Sequence, residues 1–233
     1  MRRFLALALI PVAAACSAHT GASLPSPPSP PVAVPPARSA PERFEGSVSP
    51  IDAATRARMT ASWRPGCPVA ISDLRLLRLT YVGFDEAIHS GELVVHASRA
   101  RAVLGVFEEL FETRFPIERM ELVDVYDGDD DRSMAANNTS AFNCRPSTRA
   151  SGTWSQHAYG LAIDINPLQN PYIARSGRVE PPEGSAFADR SQAARGLIRR
   201  DDVVVRAFER IGWSWGGDWS LAKDYQHFSA NGL

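Results

Sequence analysis

The chain has 233 residues, 44% of them hydrophobic and 22% charged, which fits one ordinary globular domain with appendages. Its formal net charge is only -1, so it offers no basic field of the kind nucleic acid requires, and no nucleic-acid partner is expected. That acidic balance is also too slight to indicate disorder or a cationic partner.

Arg2 and Arg3 precede an apolar run from Phe4 to Ala15, too short to span a bilayer but suited to the apolar region of a signal peptide. Residues 1–16 are therefore read as a signal peptide, which makes the protein an exported one of the bacterial periplasm or cell envelope. Ala13, Ala14 and Ala15 lead into Cys16, which resembles a bacterial lipoprotein signal, with Cys16 as the lipidation site and a lipid anchor in the membrane; ordinary secretory cleavage nearby is the alternative. Residues 17–50 follow, dense in proline and serine, and read as an extended spacer of polyproline II character that buries no core.

Setting Cys16 aside, two cysteines remain, Cys67 and Cys144, in a compartment that permits disulfides, and their pairing is the simplest inference. Closing a loop of that length stabilises by roughly 4 kcal/mol in the chain-entropy model. Cys144 as a metal ligand has no neighbouring thiol to support it.

From residue 51 to 233 strand-like and helix-like segments alternate without a repeat, as in one domain. "LLRLTYV" and "GELVVH" read as strands. Between Ser98 and Phe111, apolar Val103, Val106, Phe107, Leu110 and Phe111 fall at helical spacing, and the helix must end before Pro116. "MELVDVY" reads as a further strand, and the polar stretch from Asp127 to Thr153 as a long loop. A helix is expected from about Asp202 to Arg210, ended by Gly212. Few elements and no regular βαβ alternation point to an α+β fold, a small antiparallel sheet with flanking helices.

"SQHAYGLAIDINP" carries the chemistry. In "GLAIDIN", Leu161, Ile163 and Ile165 would face a core and Asp164 the other side, and an aspartate inside a strand is disfavoured unless it has a task. A bend at Gly160 returns His157 towards Asp164, and Ala162 leaves room. His19 lies in the spacer, and His89 and His96 read as surface or half-buried residues. His227, clustered with Tyr225 and Phe228 and three residues after Asp224, is the third candidate ligand. A catalytic zinc takes three nitrogen or oxygen ligands and keeps an open position, with a nearby carboxylate as proton acceptor. His157, Asp164 and His227 would be the ligands of Zn2+ and Asp224 the base.

"S-Q-H-A-Y-G-L-A-I-D" matches S-x-H-x-x-G-x-A-x-D, and "D-Y-Q-H" supplies a later carboxylate-x-x-histidine element. Together they resemble the zinc D-alanyl-D-alanine carboxypeptidases and dipeptidases of the M15 type. The resemblance runs from about Cys67 to Phe228 and includes "GELVV", "FPIERM" and "NNTSAFNCR". It implies a D-Ala-D-Ala zinc peptidase (hedgehog-like) fold and hydrolysis of peptidoglycan stem peptides as a D,D-carboxypeptidase; a monomer is expected. An endopeptidase of the same chemistry and a wall-binding module without turnover are the alternatives. Several relatives have glutamate where this chain has Asp224. Ser155 matches the family serine and is expected to contact substrate.

The family also places an arginine against a substrate carboxylate or carbonyl; Arg132 in "DDDRSM" is the first candidate and Arg145 the second. Arg132 could equally be neutralised by Asp129, Asp130 and Asp131 on a solvated loop. "DGDDD" lacks the further ligands of a calcium loop, so a solvated turn is expected. Glycosylation at Asn137 or Asn138 does not fit a bacterial export signal. Trp213, Trp215 and Trp219 either line a peptide groove, with Trp215 expected to bind substrate, or pack in the core.

Overall fold

The computed structural model describes residues 43–148 and 151–233. The signal segment, Cys16 and the proline-rich stretch to residue 42 lie outside the described residues. Among the described residues no helix is long and apolar enough to cross a membrane.

The first sheet orders β1 (Gly46–Pro50), β2 (Leu74–Val82) and β3 (Ile88–His96) antiparallel, with Leu79 opposite both Gly46 and Gly91. Strand side chains alternate between faces, and here both faces are covered. Leu77, Leu79, Tyr81, Leu93 and Val95 pack into the main core, while Leu74, Leu76 and Val94 join a smaller cluster with Met59, Phe142 and Cys144. The sheet begins before residue 51, the expected start of the domain, because β1 pairs with β2 along its whole length.

Helix α1 (Ala53–Arg58) is capped by the Asp52 carboxylate, which accepts from Thr55 N–H at 2.7 Å. Helix α2 (Ala100–Glu112) buries Val103, Val106, Phe107 and Leu110 against the first sheet, the face its apolar spacing predicts. "MELVDVY" does not form a strand. Residues Val123–Tyr126 make a 3₁₀ turn, since Asp124 is drawn away to accept the Ala61 and Ser62 N–H groups at 2.8 Å each. The expected loop after Asp127 contains a helix, α3 (Asp130–Ala135). Asp129 caps it, accepting from Arg132 N–H at 3.0 Å, and Asp130 and Asp131 occupy its first turn, where acidic groups suit the helix dipole. Six residues are too few to show a helical period.

Two further three-stranded antiparallel sheets replace the single sheet expected. One orders β4 (Ala162–Asp164), β9 (His227–Ser229) and β7 (Ser214–Trp215); the other orders β6 (Val179–Glu180), β5 (Tyr172–Ile173) and β8 (Lys223–Asp224). Helix α4 (Val203–Arg210) is capped by Asp202 and ends at Gly212, whose φ of +79° suits glycine and whose N–H reaches Glu209 O at 2.9 Å. Phe208 of this helix stacks on Phe228 of β9 with centroids 4.2 Å apart, which ties the second sheet to the main core. The architecture is α+β: small antiparallel sheets with a few helices.

Candidate metal centre

The β4–β9 register sets Asp164 directly opposite His227. His157 comes from a 3₁₀ turn, Gln156–Tyr159, in which Ser155 Oγ accepts from His157 N–H at 3.3 Å. Gly160 ends that turn at φ +66°, and a Cβ there would lie 2.6 Å from His96 N. Only glycine fits both the left-handed backbone and the close approach. The His96 N–H donates to Gly160 O at 2.9 Å, so the end of β3 fixes the turn that carries His157.

One ligand-type atom from each of His157, Asp164 and His227 lies within 4.8 Å of the others, and all three residues are buried. His157 Nε2 is 3.1 Å from Asp164 Oδ2, and His227 Nδ1 is 2.9 Å from Asp164 Oδ1; the two facing imidazole nitrogens are 3.3 Å apart. The outer nitrogens define the tautomers. His157 Nδ1 donates to Ala141 O at 2.6 Å and His227 Nε2 to Leu233 O at 3.0 Å, and a carbonyl can only accept. Both outer nitrogens therefore carry hydrogens, and each ring, when neutral, turns its lone pair inwards.

Two lone pairs and a carboxylate converging on one point need a positive charge between them. Burial works against the Asp164 carboxylate, but the charge of His157 and hydrogen bonds from both imidazoles hold its pKa well below the usual range. Burial likewise opposes charge on His227, and Asp164, with a smaller contribution from Asp224, raises its pKa above the ordinary 6.5. A divalent cation meets the same demand. Ligand atoms around a tetrahedral zinc with bonds of about 2.0–2.1 Å stand roughly 3.3 Å apart, close to the donor spacing here, and carbonyl partners on the outer nitrogens orient such ligands.

The three donors line a cleft of about 930 Å³ together with Asp224, Ser155 and Arg145. Asp224 sits on β8 opposite Tyr172. Arg145 pairs with Asp130 at 2.7 Å. The adjacent Cys144 is bonded to Cys67, with Cα atoms 5.9 Å apart, so the disulfide holds the segment that presents Arg145.

Two expected site residues lie elsewhere. Arg132 is not on the cleft; it pairs with Asp127 at 2.6 Å on the exposed surface. On α3 it is turned about 200° from Asp130, which does line the cleft. Trp215 is a core residue, 5% exposed, with its indole N–H donating to Tyr225 O at 2.9 Å and its ring stacked on Phe228. Trp213 is likewise core, whereas Trp219 lines the cleft with its ring centroid 5.5 Å from that of His227. The acidic run is spent on capping α3 and on ion pairs with Arg132 and Arg145. Asn137 and Asn138 are buried, and His89 and His96 bond to Asp85 and Ser98 away from the cleft.

A second concavity, about 910 Å³, borders β1 and β2. Its Glu92 is paired with Arg58 at 2.6 Å and Arg78 at 2.9 Å, and among the described residues no histidine-carboxylate cluster lies there.

The Ala141 and Leu233 carbonyls and Gln226 also belong to this site, and none was expected from the sequence; Trp219, one of three tryptophans offered for a groove, belongs to it too. A main-chain carbonyl leaves no mark in residue type. Trp219 shares its aromatic signal with the two core tryptophans.

Residues 148–230 match the family described as D-alanyl-D-alanine carboxypeptidase. Among curated proteins, peptidoglycan L-alanyl-D-glutamate endopeptidase CwlK of Bacillus subtilis (strain 168) is 33% identical over 81 residues, 34% of this chain and 41% of that protein. The chain thus spans about two fifths of the length of that relative. No solved structure matches. "GELVV", "FPIERM" and "NNTSAFNCR" precede the matched residues, whereas all three converging donors and Asp224 fall inside them. In that segment, from residue 148 to 230, the chain is similar to the D-alanyl-D-alanine carboxypeptidase family.

Proposed function

We propose that this protein is a zinc-dependent peptidase that hydrolyses peptidoglycan stem peptides. The observation that carries the reading is the convergence of His157, Asp164 and His227 beside a cleft that also holds Asp224 and Arg145. Zinc held by these three side chains supplies Lewis acidity for amide hydrolysis. Asp224 takes a proton from the attacking water and returns it to the leaving amine. Arg145 donates to a substrate carboxylate or to the carbonyl oxygen as charge develops there. Ser155 contacts the peptide beside His157, and Trp219 packs against it. We assign the chain the hedgehog-like fold of D-Ala-D-Ala zinc peptidases.

Removal of terminal D-alanine is the first reading, in line with the description of the matched family. Cleavage within the stem is the second, in line with the endopeptidase activity for which CwlK is named. The leader ending at Cys16 supports export to the periplasm or cell envelope, with a lipid on Cys16 as membrane anchor, and the protein is taken to act as a monomer. Mass analysis of muropeptides incubated with the purified protein, with and without a chelator, tests the reading. Released D-alanine supports the first activity and internal cleavage the second; no chelator-sensitive product would remove both.

A further inference from the structure

Gln226 lies between Asp224 and His227, and its side chain lines the cleft while being only 2% exposed. Its main chain is well held, the carbonyl accepting from Ile165 N–H at 3.0 Å. Its carboxamide is not. Among the described residues, Oε1 is buried with no hydrogen-bond partner and Nε2 meets only the Met134 thioether at 3.5 Å, a weak acceptor. Exchanging O and N gives no relief, since the oxygen would then face the sulfur and the nitrogen would lack an acceptor.

Three other buried amides among the described residues are satisfied at both ends. Asn138 donates to Glu121 O at 3.0 Å and accepts from Glu121 N–H at 2.9 Å. Asn166 donates to Pro116 O at 2.8 Å and accepts from Glu118 N–H at 3.2 Å. Asn170 donates to Gly196 O at 2.9 Å and accepts from Ile198 N–H at 2.7 Å. A buried polar group without partners destabilises the fold, and an apolar side chain of equal length would avoid the loss. Gln226 departs from the pattern at the wall of the cleft, next to a metal-type donor.

We propose that Gln226 is a substrate-binding residue whose carboxamide pairs with a main-chain amide of the bound peptide, donating to its C=O and accepting from its N–H. The inference rests on the peptidase reading above. A carboxamide is the neutral side-chain group that matches both halves of a peptide unit. Met134, half-buried and unbranched, lies over the amide and moves aside by a change of rotamer. The contact sets the register of the peptide relative to His227.

The test uses Gln226→Met, which keeps length but removes both polar atoms, in the full zinc-loaded chain with a synthetic stem peptide that the wild type cleaves. KM should rise about tenfold, the loss of one good hydrogen-bonded contact, with kcat within about threefold and zinc content unchanged. The melting temperature should rise by about 2–4 °C, in zinc-loaded and chelator-treated protein alike, because an unmet polar group is gone. A structural amide predicts the reverse, a lower melting temperature at unchanged KM, and that result would overturn the proposal. Gln226→Asn, which withdraws the amide by one methylene, gives a second reading should the methionine variant not fold; wild-type KM in it would also overturn the proposal. A wild type that cleaves no stem peptide removes the peptidase reading and this inference with it, whereas wild-type kinetics in Gln226→Met removes the Gln226 role alone.

Discussion

His157 Nε2 and His227 Nδ1 stand 3.3 Å apart, each facing one oxygen of the Asp164 carboxylate, although 70 positions separate the two histidines in the chain. Each ring spends its other nitrogen on a main-chain carbonyl, so neither can turn its lone pair away without breaking a hydrogen bond. The centre is thus pre-oriented for a cation.

Replacing His157 with alanine removes one donor from that set. Zinc affinity should fall by more than the about 10–100-fold typical for loss of an outer partner, and peptide hydrolysis should fall with it. Zinc content by elemental analysis and turnover of muropeptides measure both. His96→Ala, away from the cleft, should keep zinc and turnover; full zinc and activity in His157→Ala would remove that residue from the centre.

Asp224 lines the cleft but is not one of the three converging donors. Asp224→Asn should therefore retain zinc while kcat drops by about 100- to 10,000-fold, the usual scale for a lost general base. Loss of zinc together with activity would make Asp224 a ligand instead.

The two arginines should behave differently. Arg145→Ala should lower kcat/KM by about 100-fold, as for loss of one donor to a developing oxyanion. Arg132 is exposed and paired with Asp127, so Arg132→Ala should leave kcat/KM unchanged and shift stability by no more than about 0.5 kcal/mol. Parallel kinetics on both variants decide between them.

The proton and zinc compete for the same lone pairs, which fixes the sign of the pH dependence. In chelator-treated protein, His227 has a pKa raised above 6.5, so its contribution to stability is complete below 6.5 and is lost as pH rises through the raised value. Asp164 has a lowered pKa, so its contribution is present above 3.8 and is lost as pH falls below that. Zinc requires His227 deprotonated, so the increase in melting temperature on adding zinc should grow across the range where the metal-free protein weakens. Thermal melts from pH 5 to 9 with and without zinc test this; a zinc increment that shrinks as pH rises would contradict it.

Breaking the Cys67–Cys144 bond, whose ends lie 77 positions apart, should cost about 2–5 kcal/mol. The segment next to it presents Arg145 to the cleft, so Cys67→Ser/Cys144→Ser should also raise KM for the stem peptide while zinc stays bound. Denaturant melts and kinetics on the double variant measure the two effects separately.

What the sequence determined by itself was the set of donors. Metal ligation restricts residue type, a bend at Gly160 restricts spacing, and so His157, Asp164, Asp224 and His227 stand out locally as candidates. The long strands and helices were legible for a similar reason: β2, β3, α2 and α4 repeat apolar residues at period 2 or 3.6 over enough positions to show. Short elements were not, apart from β4, which the alternation of "GLAIDIN" marks. β4 to β9 have two or three residues each, and their pairing, including Asp164 opposite His227, comes from contacts between distant segments. The choice of Arg145 over Arg132 depends on which side of the short helix α3 meets the cleft, and the choice of Trp219 over Trp215 on which indole the main core absorbs. The carbonyls behind the two imidazoles and the unmet amide of Gln226 have no local signature, because hydrogen-bond satisfaction is a property of the assembled interior.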